Sequence, residues 1–143
     1  MRTSLKHREL TGRIIKVFYD VYNELGHGFI ESVYHEAFRC ALEDADMESM
    51  TKVELPVRYR GRNVGRFEAD LIVENRVILE FKAARALVRA HEAQMLNYLR
   101  ATSIEIGILF NFGEKPEFKR MAFENTRKRS KQNLMIGSLL ERD

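Results

Sequence analysis

Ala69-Asp70-Leu71-Ile72-Val73-Glu74-Asn75-Arg76-Val77-Ile78-Leu79-Glu80-Phe81-Lys82 is the stretch that decides the fold. Two apolar runs, Val64 to Val73 and Val77 to Lys82, flank the polar Glu74-Asn75-Arg76. Each reads as a β-strand, and hydrophobic residues on both faces make both strands central. Alternation puts Ile78, Glu80 and Lys82 on one face of the second strand, and Asp70 and Ile72 on one face of the first. With a loop of Glu74, Asn75 and Arg76, Val73 faces Val77, and Asp70 then faces Glu80. Directly opposed like charges destabilise a sheet, and ionisable groups on central strands are costly unless they pair or bind a metal. A divalent cation between them reverses the sign. Carboxylate oxygens with open water positions suit Mg²⁺ or Mn²⁺ rather than zinc. Lys82, on the same face, can neutralise part of such a site and stabilise a developing oxyanion. The plainer reading is an edge ion pair between Glu80 and Lys82 beside a solvated Asp70; the apolar strands around them weigh against it.

Working outward, Thr11 to Leu25 carries Ile14, Val17, Phe18, Val21, Tyr22 and Leu25 at helical spacing. Gly26-His27-Gly28 ends that helix. A second helix is expected from Phe29 to Asp46, with a stripe of Ile30, Val33, Ala37, Phe38, Ala41 and Leu42. The period then becomes two over Val53, Leu55 and Val57, and Arg60-Gly61-Arg62-Asn63 reads as a hairpin turn. Ala86 to Arg100 is helical, Glu105 to Asn111 is a strand buried on both faces, and Phe118 to Phe123 is a last edge strand. The fold class is therefore α/β in the order α-α-β-β-β-α-β-β. The expected division is one domain over 1–124, followed by a basic tail over 125–143 that is flexible or forms a short helix.

The 143 residues fit one compact domain with a core of its own. Cys40 is the only cysteine, which excludes an internal disulfide and a cysteine zinc site. Its setting among Ala37, Phe38 and Ala41 makes it a small core residue, and a lone thiol fits a reducing cytoplasm. No apolar run approaches the roughly 18 residues of a membrane span, and the N-terminus has no signal-peptide pattern; the expected location is cytoplasmic. Lys and Arg number 24 against 21 Asp and Glu, for a net charge of +3. Arg58, Arg60, Arg62 and Arg66 crowd the hairpin, and a second basic group begins at Lys115, Lys119 and Arg120. Two basic clusters flanking an acidic site suit phosphate-backbone contact.

The helix after Lys82 places His91, Gln94 and Tyr98 on one face. Gln94 can bond a metal-bound water or a phosphate, and Tyr98 a phosphate; a wet helix face with Tyr98 partly packed is the competing reading. In Gly28-Phe29-Ile30-Glu31-Ser32-Val33-Tyr34, Glu31 either complements the helix dipole or supplies a third acidic group, and Tyr34 is either core or a contact to the ligand.

Taken together, these segments resemble the GxxExxY family, a branch of the PD-(D/E)xK nuclease superfamily. The naming motif is Gly28, Glu31 and Tyr34; the body is Val64 to Val73, Ile78 to Ala83, His91 to Leu99 and Gly107 to Gly113, ending near Lys119-Arg120. The resemblance implies a restriction-endonuclease-like core, a mixed sheet flanked by helices. It implies Asp70 as the motif aspartate, Glu80 and Lys82 as the E-x-K pair, and Gln94 and Tyr98 as a Q-x-x-x-Y motif. Glu31 would complete a metal site with Asp70 and Glu80, and Tyr34, Arg66, His91, Lys119 and Arg120 would contact nucleic acid. The expected activity is Mg²⁺- or Mn²⁺-dependent hydrolysis of DNA phosphodiesters. The alternatives are a catalytically silent nucleic-acid-binding module, or a subunit of a larger complex, and a homo-oligomeric scaffold.

Overall fold

The computed structural model describes residues 7–128. Two helices come first, α1 (Arg8–Leu25) and α2 (Glu31–Asp44). Strands β1 (Ser49–Tyr59), β2 (Arg62–Val73) and β3 (Val77–Lys82) follow, then α3 (Arg89–Arg100), β4 (Ile106–Phe112) and β5 (Pro116–Ala122). The five strands lie side by side in chain order, β1-β2-β3-β4-β5. All neighbours are antiparallel except β3 and β4, which run parallel because α3 carries the chain back across the sheet. The order and class expected from the sequence hold.

The sheet is covered on both faces. On one, α1 and α2 lay Ile14, Phe18, Tyr34 and Phe38 over Leu79, Phe81, Ile108 and Phe110. Aromatic rings dominate this side: Phe18 stacks on Phe110 at 4.6 Å between centroids, and Tyr34 on Phe112 at 4.1 Å. On the other face α3 sets Met95, Tyr98 and Leu99 against Ile72, Ile78 and Leu109. Gly107 lies under the Met95 side chain of α3. A Cβ there would meet the Met95 sulfur at 2.3 Å, so a larger residue would have to displace that thioether.

Helix α2 departs from its expected stripe. Ile30 is 70% exposed and Val33 36%, while Tyr34, Phe38 and Leu42 are buried. The helix begins two residues later than expected, and the four-residue step from Tyr34 through Phe38 to Leu42 sets the inward face. Cys40 falls between those positions and is exposed, so the core role expected for it does not hold. The β1–β2 hairpin closes through Arg60 and Gly61, with φ of 51° and 77°. Two successive left-handed residues make the tight turn whose twist matches the strands.

Beyond β5 the chain stays attached through Lys128. Asn125 donates its backbone N–H to the Glu105 carboxylate, and the Lys128 ammonium donates to the carbonyls of Thr102 and Ile104. Burial there lowers the Lys128 pKa to about 8. Residues 125–128 of the expected tail are thus tied to the connection between α3 and β4, and the rest of that tail lies outside the described residues. Among the described residues no helix is long and apolar enough to cross a membrane.

Candidate active site at the β2–β3 seam

The expected register between β2 and β3 is present, with Val73 opposite Val77, Ile72 opposite Ile78 and Leu71 opposite Leu79. There the backbone ladder stops. At the next position the Asp70 N–H donates to Glu80 Oε2 at 2.8 Å, and the Phe81 N–H donates to Asp70 Oδ2 at 2.8 Å. Each carboxylate reaches across the seam and takes a backbone donor that would otherwise be orphaned.

Strand β1 loses its regularity beside the same point. Met50 and Val53 both pack on the α3 side, as do their partners Ile72 and Ala69. Residues three apart should fall on opposite faces. The alternation therefore slips between them, at Lys52 and Asp70, where Lys52 has φ of 50°. The slip frees the Asp70 carbonyl, which lies 2.8 Å from Nε2 of His35 on α2. A carbonyl only accepts, so Nε2 carries the proton.

Both carboxyls are held above their usual range. Glu80, 5% exposed, is raised to about 8, first by burial and then by the Asp70 charge. Burial also raises Asp70, against the opposing pull of the Phe81 N–H, His35 and Lys82. Lys82 lowers both carboxyls through space, yet no ion pair within 4 Å joins it to either. Tyr98 is pushed up to about 12 by burial and then by Glu80 and Asp70, so its phenol stays protonated beside them. It is fixed there by Phe67, whose ring stacks on it at 4.0 Å and 5°.

Glu31 opens α2, and its Oε2 accepts the Ala83 N–H at 3.4 Å, one residue past Lys82. Its charge raises both Asp70 and Glu80. Asp70, Glu80, Lys82, Tyr98 and Glu31 are thus brought to one end of the seam. Gln94 lies exposed on α3, and no hydrogen bond joins it to the carboxylates. His91 accepts the Val88 N–H on Nδ1 at 3.2 Å, which caps α3 and leaves Nε2 as the ring's donor.

Two expected ligand contacts need correction. Tyr34 is wholly enclosed; its hydroxyl donates to the Gly26 carbonyl at 2.7 Å and accepts the Phe29 N–H at 3.1 Å. It clamps the loop before α2 rather than touching nucleic acid. Arg120 pairs with Ile108, which belongs to the core under α1 and α2, so it lies on the face opposite Glu80. Lys119 pairs with Leu109, as Glu80 does, and is the member of that pair on the site's face. Arg66 is exposed, with a 3.7 Å ion pair to Glu54.

Two residues the sequence reading missed complete the frame. His35 is one helical turn beyond Glu31, and that i, i+4 spacing was the available signal. Asn111, a polar residue in an otherwise apolar strand, accepts the Ala84 N–H at 2.9 Å and donates to the Ala84 carbonyl at 3.0 Å. It pins the chain leaving Lys82. Gly113 must be glycine for the same docking, since a Cβ would meet the Ala84 carbonyl at 2.6 Å.

The donor set suits a hard divalent cation. Asp70 Oδ1 and Glu80 Oε1 take no part in the seam hydrogen bonds, and the two carboxyls, Glu80 buried and Asp70 half-buried, stand without a contact cation. In the present side-chain arrangement no three acidic, histidine or cysteine side chains converge as a metal cage among the described residues. The seam hydrogen bonds turn one oxygen of each carboxylate toward backbone.

An α/β mixed sheet of this order, with helices on both faces, is a restriction-endonuclease-like domain. The crystal structure of SSO0001 shares the fold, with a TM-score of 0.54 and 21% identity over 65% of this chain and 50% of that one. The chain thus spans about half the length of that protein. No curated protein matches the chain. The family model of the PD-(D/E)XK nuclease superfamily matches residues 8–121, and the chain belongs to that superfamily.

Proposed function

We propose that the chain is a Mg²⁺- or Mn²⁺-dependent nuclease acting on DNA, of the GxxExxY branch. The reading rests on the β2–β3 seam, where Asp70 and Glu80 replace the backbone ladder beside an ammonium that neither of them pairs. Asp70 Oδ1 and Glu80 Oε1 would hold the cation, with Glu31 the nearest further carboxylate. When bound, the cation polarises a phosphoryl oxygen and lowers the pKa of water. The Lys82 ammonium stabilises charge developing on the phosphoryl group. The Tyr98 phenol, kept protonated, donates to a phosphate oxygen. Exposed Arg66 and Lys119 contact the phosphate backbone of the DNA, and the single free thiol of Cys40 fits a reducing cytoplasm.

Cleavage of linear and supercoiled DNA with Mg²⁺ or Mn²⁺ tests this, comparing the wild type with Lys82→Ala. Metal-dependent cutting that falls by about 10²-fold or more in the variant is expected. Full activity in Lys82→Ala would overturn the assignment of Lys82. Binding of DNA by the wild type without cutting under either metal would favour a silent binding module.

A further inference from the structure

Beside the seam lies a cleft of about 710 Å³ that the chemistry above does not use. Its walls are the loop before α2, the Ala83–Ala86 segment that leaves Lys82, and the turn between β4 and β5. Its size is within the roughly 300–1,000 Å³ of small-ligand sites. It adjoins the site, because Ala83 lines it and gives its N–H to Glu31.

Phe29 forms part of one wall and is 48% exposed. An aromatic ring held half in water needs a reason, and here its backbone is fixed. Gly28 turns the chain with φ of 110°, and the buried Tyr34 hydroxyl ties the Phe29 N–H to the Gly26 carbonyl. The Tyr34 ring meets the Phe29 ring edge-on at 6.0 Å. Arg85 and Lys115 also line the cleft. Two carboxylates, Glu114 and Glu117, are present as well, and Glu117 is engaged by the Leu87 N–H at 2.9 Å. A presented aromatic face next to cations is the chemistry that holds unpaired nucleotides: the base stacks, and the cations follow the phosphates.

We propose that this cleft seats an unpaired nucleotide of the substrate strand, its base on Phe29 and its phosphate held by Arg85 and Lys115. The inference rests on the nuclease reading and adds the substrate class: a single strand, or a frayed duplex end, rather than an intact duplex.

Fluorescence anisotropy with a labelled 12-nucleotide single strand and the matching blunt duplex, in EDTA, tests it without cleavage. The wild type should prefer the single strand. Phe29→Leu, which keeps an apolar side chain, and Phe29→Ala should each weaken single-strand binding, the latter on the order of ten-fold, the size of one aromatic–base stack. Lys115→Gln, outside the Phe29 contacts, should weaken it and reduce its salt dependence. Equal affinity of wild type and both Phe29 variants for the single strand, or a wild-type preference for blunt duplex, overturns the proposal. So does a drop from dimer to monomer in light scattering of Phe29→Ala with affinity unchanged, which would give the exposed Phe29, Ile30 and Val33 to a second copy. A wild type that binds the single strand through Phe29 but never cuts would sink the nuclease reading and leave the cleft standing.

Discussion

Strand β3 meets its two neighbours in different ways. Against β4 it keeps an unbroken parallel ladder from Val77–Ile106 to Lys82–Asn111. Against β2 it keeps only Leu71–Leu79, Ile72–Ile78 and Val73–Val77, and then carboxylates take over the backbone donors. The first edge is built for stability, with Phe110 and Ile108 wholly buried beside it. The second puts two carboxyl groups where a sheet would have its own hydrogen bonds. The acidic pair is thus confined to one interrupted seam, while the rest of the strand behaves as an ordinary core element.

The largest effect should come from the stable edge. Phe110→Ala removes a ring stacked on Phe18 and should cost about 3–5 kcal/mol of unfolding free energy in denaturant melts. A smaller loss would mean that the aromatic core collapses around the gap. Next is the seam itself. Asp70→Asn keeps an oxygen able to accept the Phe81 N–H, so cleavage should fall by about 10²–10³-fold while the thermal midpoint at pH 8 does not drop. A loss of stability like that of Phe110→Ala would make Asp70 a structural residue and erase the contrast between the edges.

pH sharpens the same contrast. Folded Glu80 holds its proton to about pH 8, whereas an ordinary carboxyl releases it near 4.5. In that window the folded chain binds more protons than the unfolded one, so the metal-free protein should lose stability as pH rises from about 4.5 to 8, by up to about 1.4 kcal/mol per pH unit. Melts of the wild type and Glu80→Gln across that range check it; the variant should show a flatter profile, and equal slopes would remove Glu80 as the cause. The smallest effect is expected at the hairpin. Arg66→Ala breaks an exposed 3.7 Å pair with Glu54, and stability should change by less than about 0.5 kcal/mol, while the salt dependence of DNA binding becomes shallower.

The sequence carried the register of the seam, because Val73 and Val77 bracket a polar loop and the apolar runs on either side allow one alignment. It also carried the faces of Glu80 and Lys82. The lapse of the ladder was hidden, and so was the left-handed lysine at position 52 beside it, a conformation for which lysine gives no local signal. Alternation alone could have separated Lys119 from Arg120, which adjacent strand positions send to opposite faces. Of the two readings of Tyr34 the core one holds, since the residue is buried and both of its hydrogen bonds close a loop eight residues or fewer away. Cys40 was placed by the company of its neighbours rather than by its angle on the helix.

The side-by-side strand order has a consequence for how the domain assembles. The β1–β2, β2–β3 and β4–β5 pairings are all short hairpins, whose closure entropy is low. Only the parallel union of β3 with β4 must wait for the intervening helix-bearing segment, residues 83–105, to fold back. The acidic seam therefore belongs to a local unit, and the slow, long-range step is the one that brings Asn111 to Ala84 and locks the position of Lys82. Refolding should show the hairpin acidic centre first and catalytic competence last.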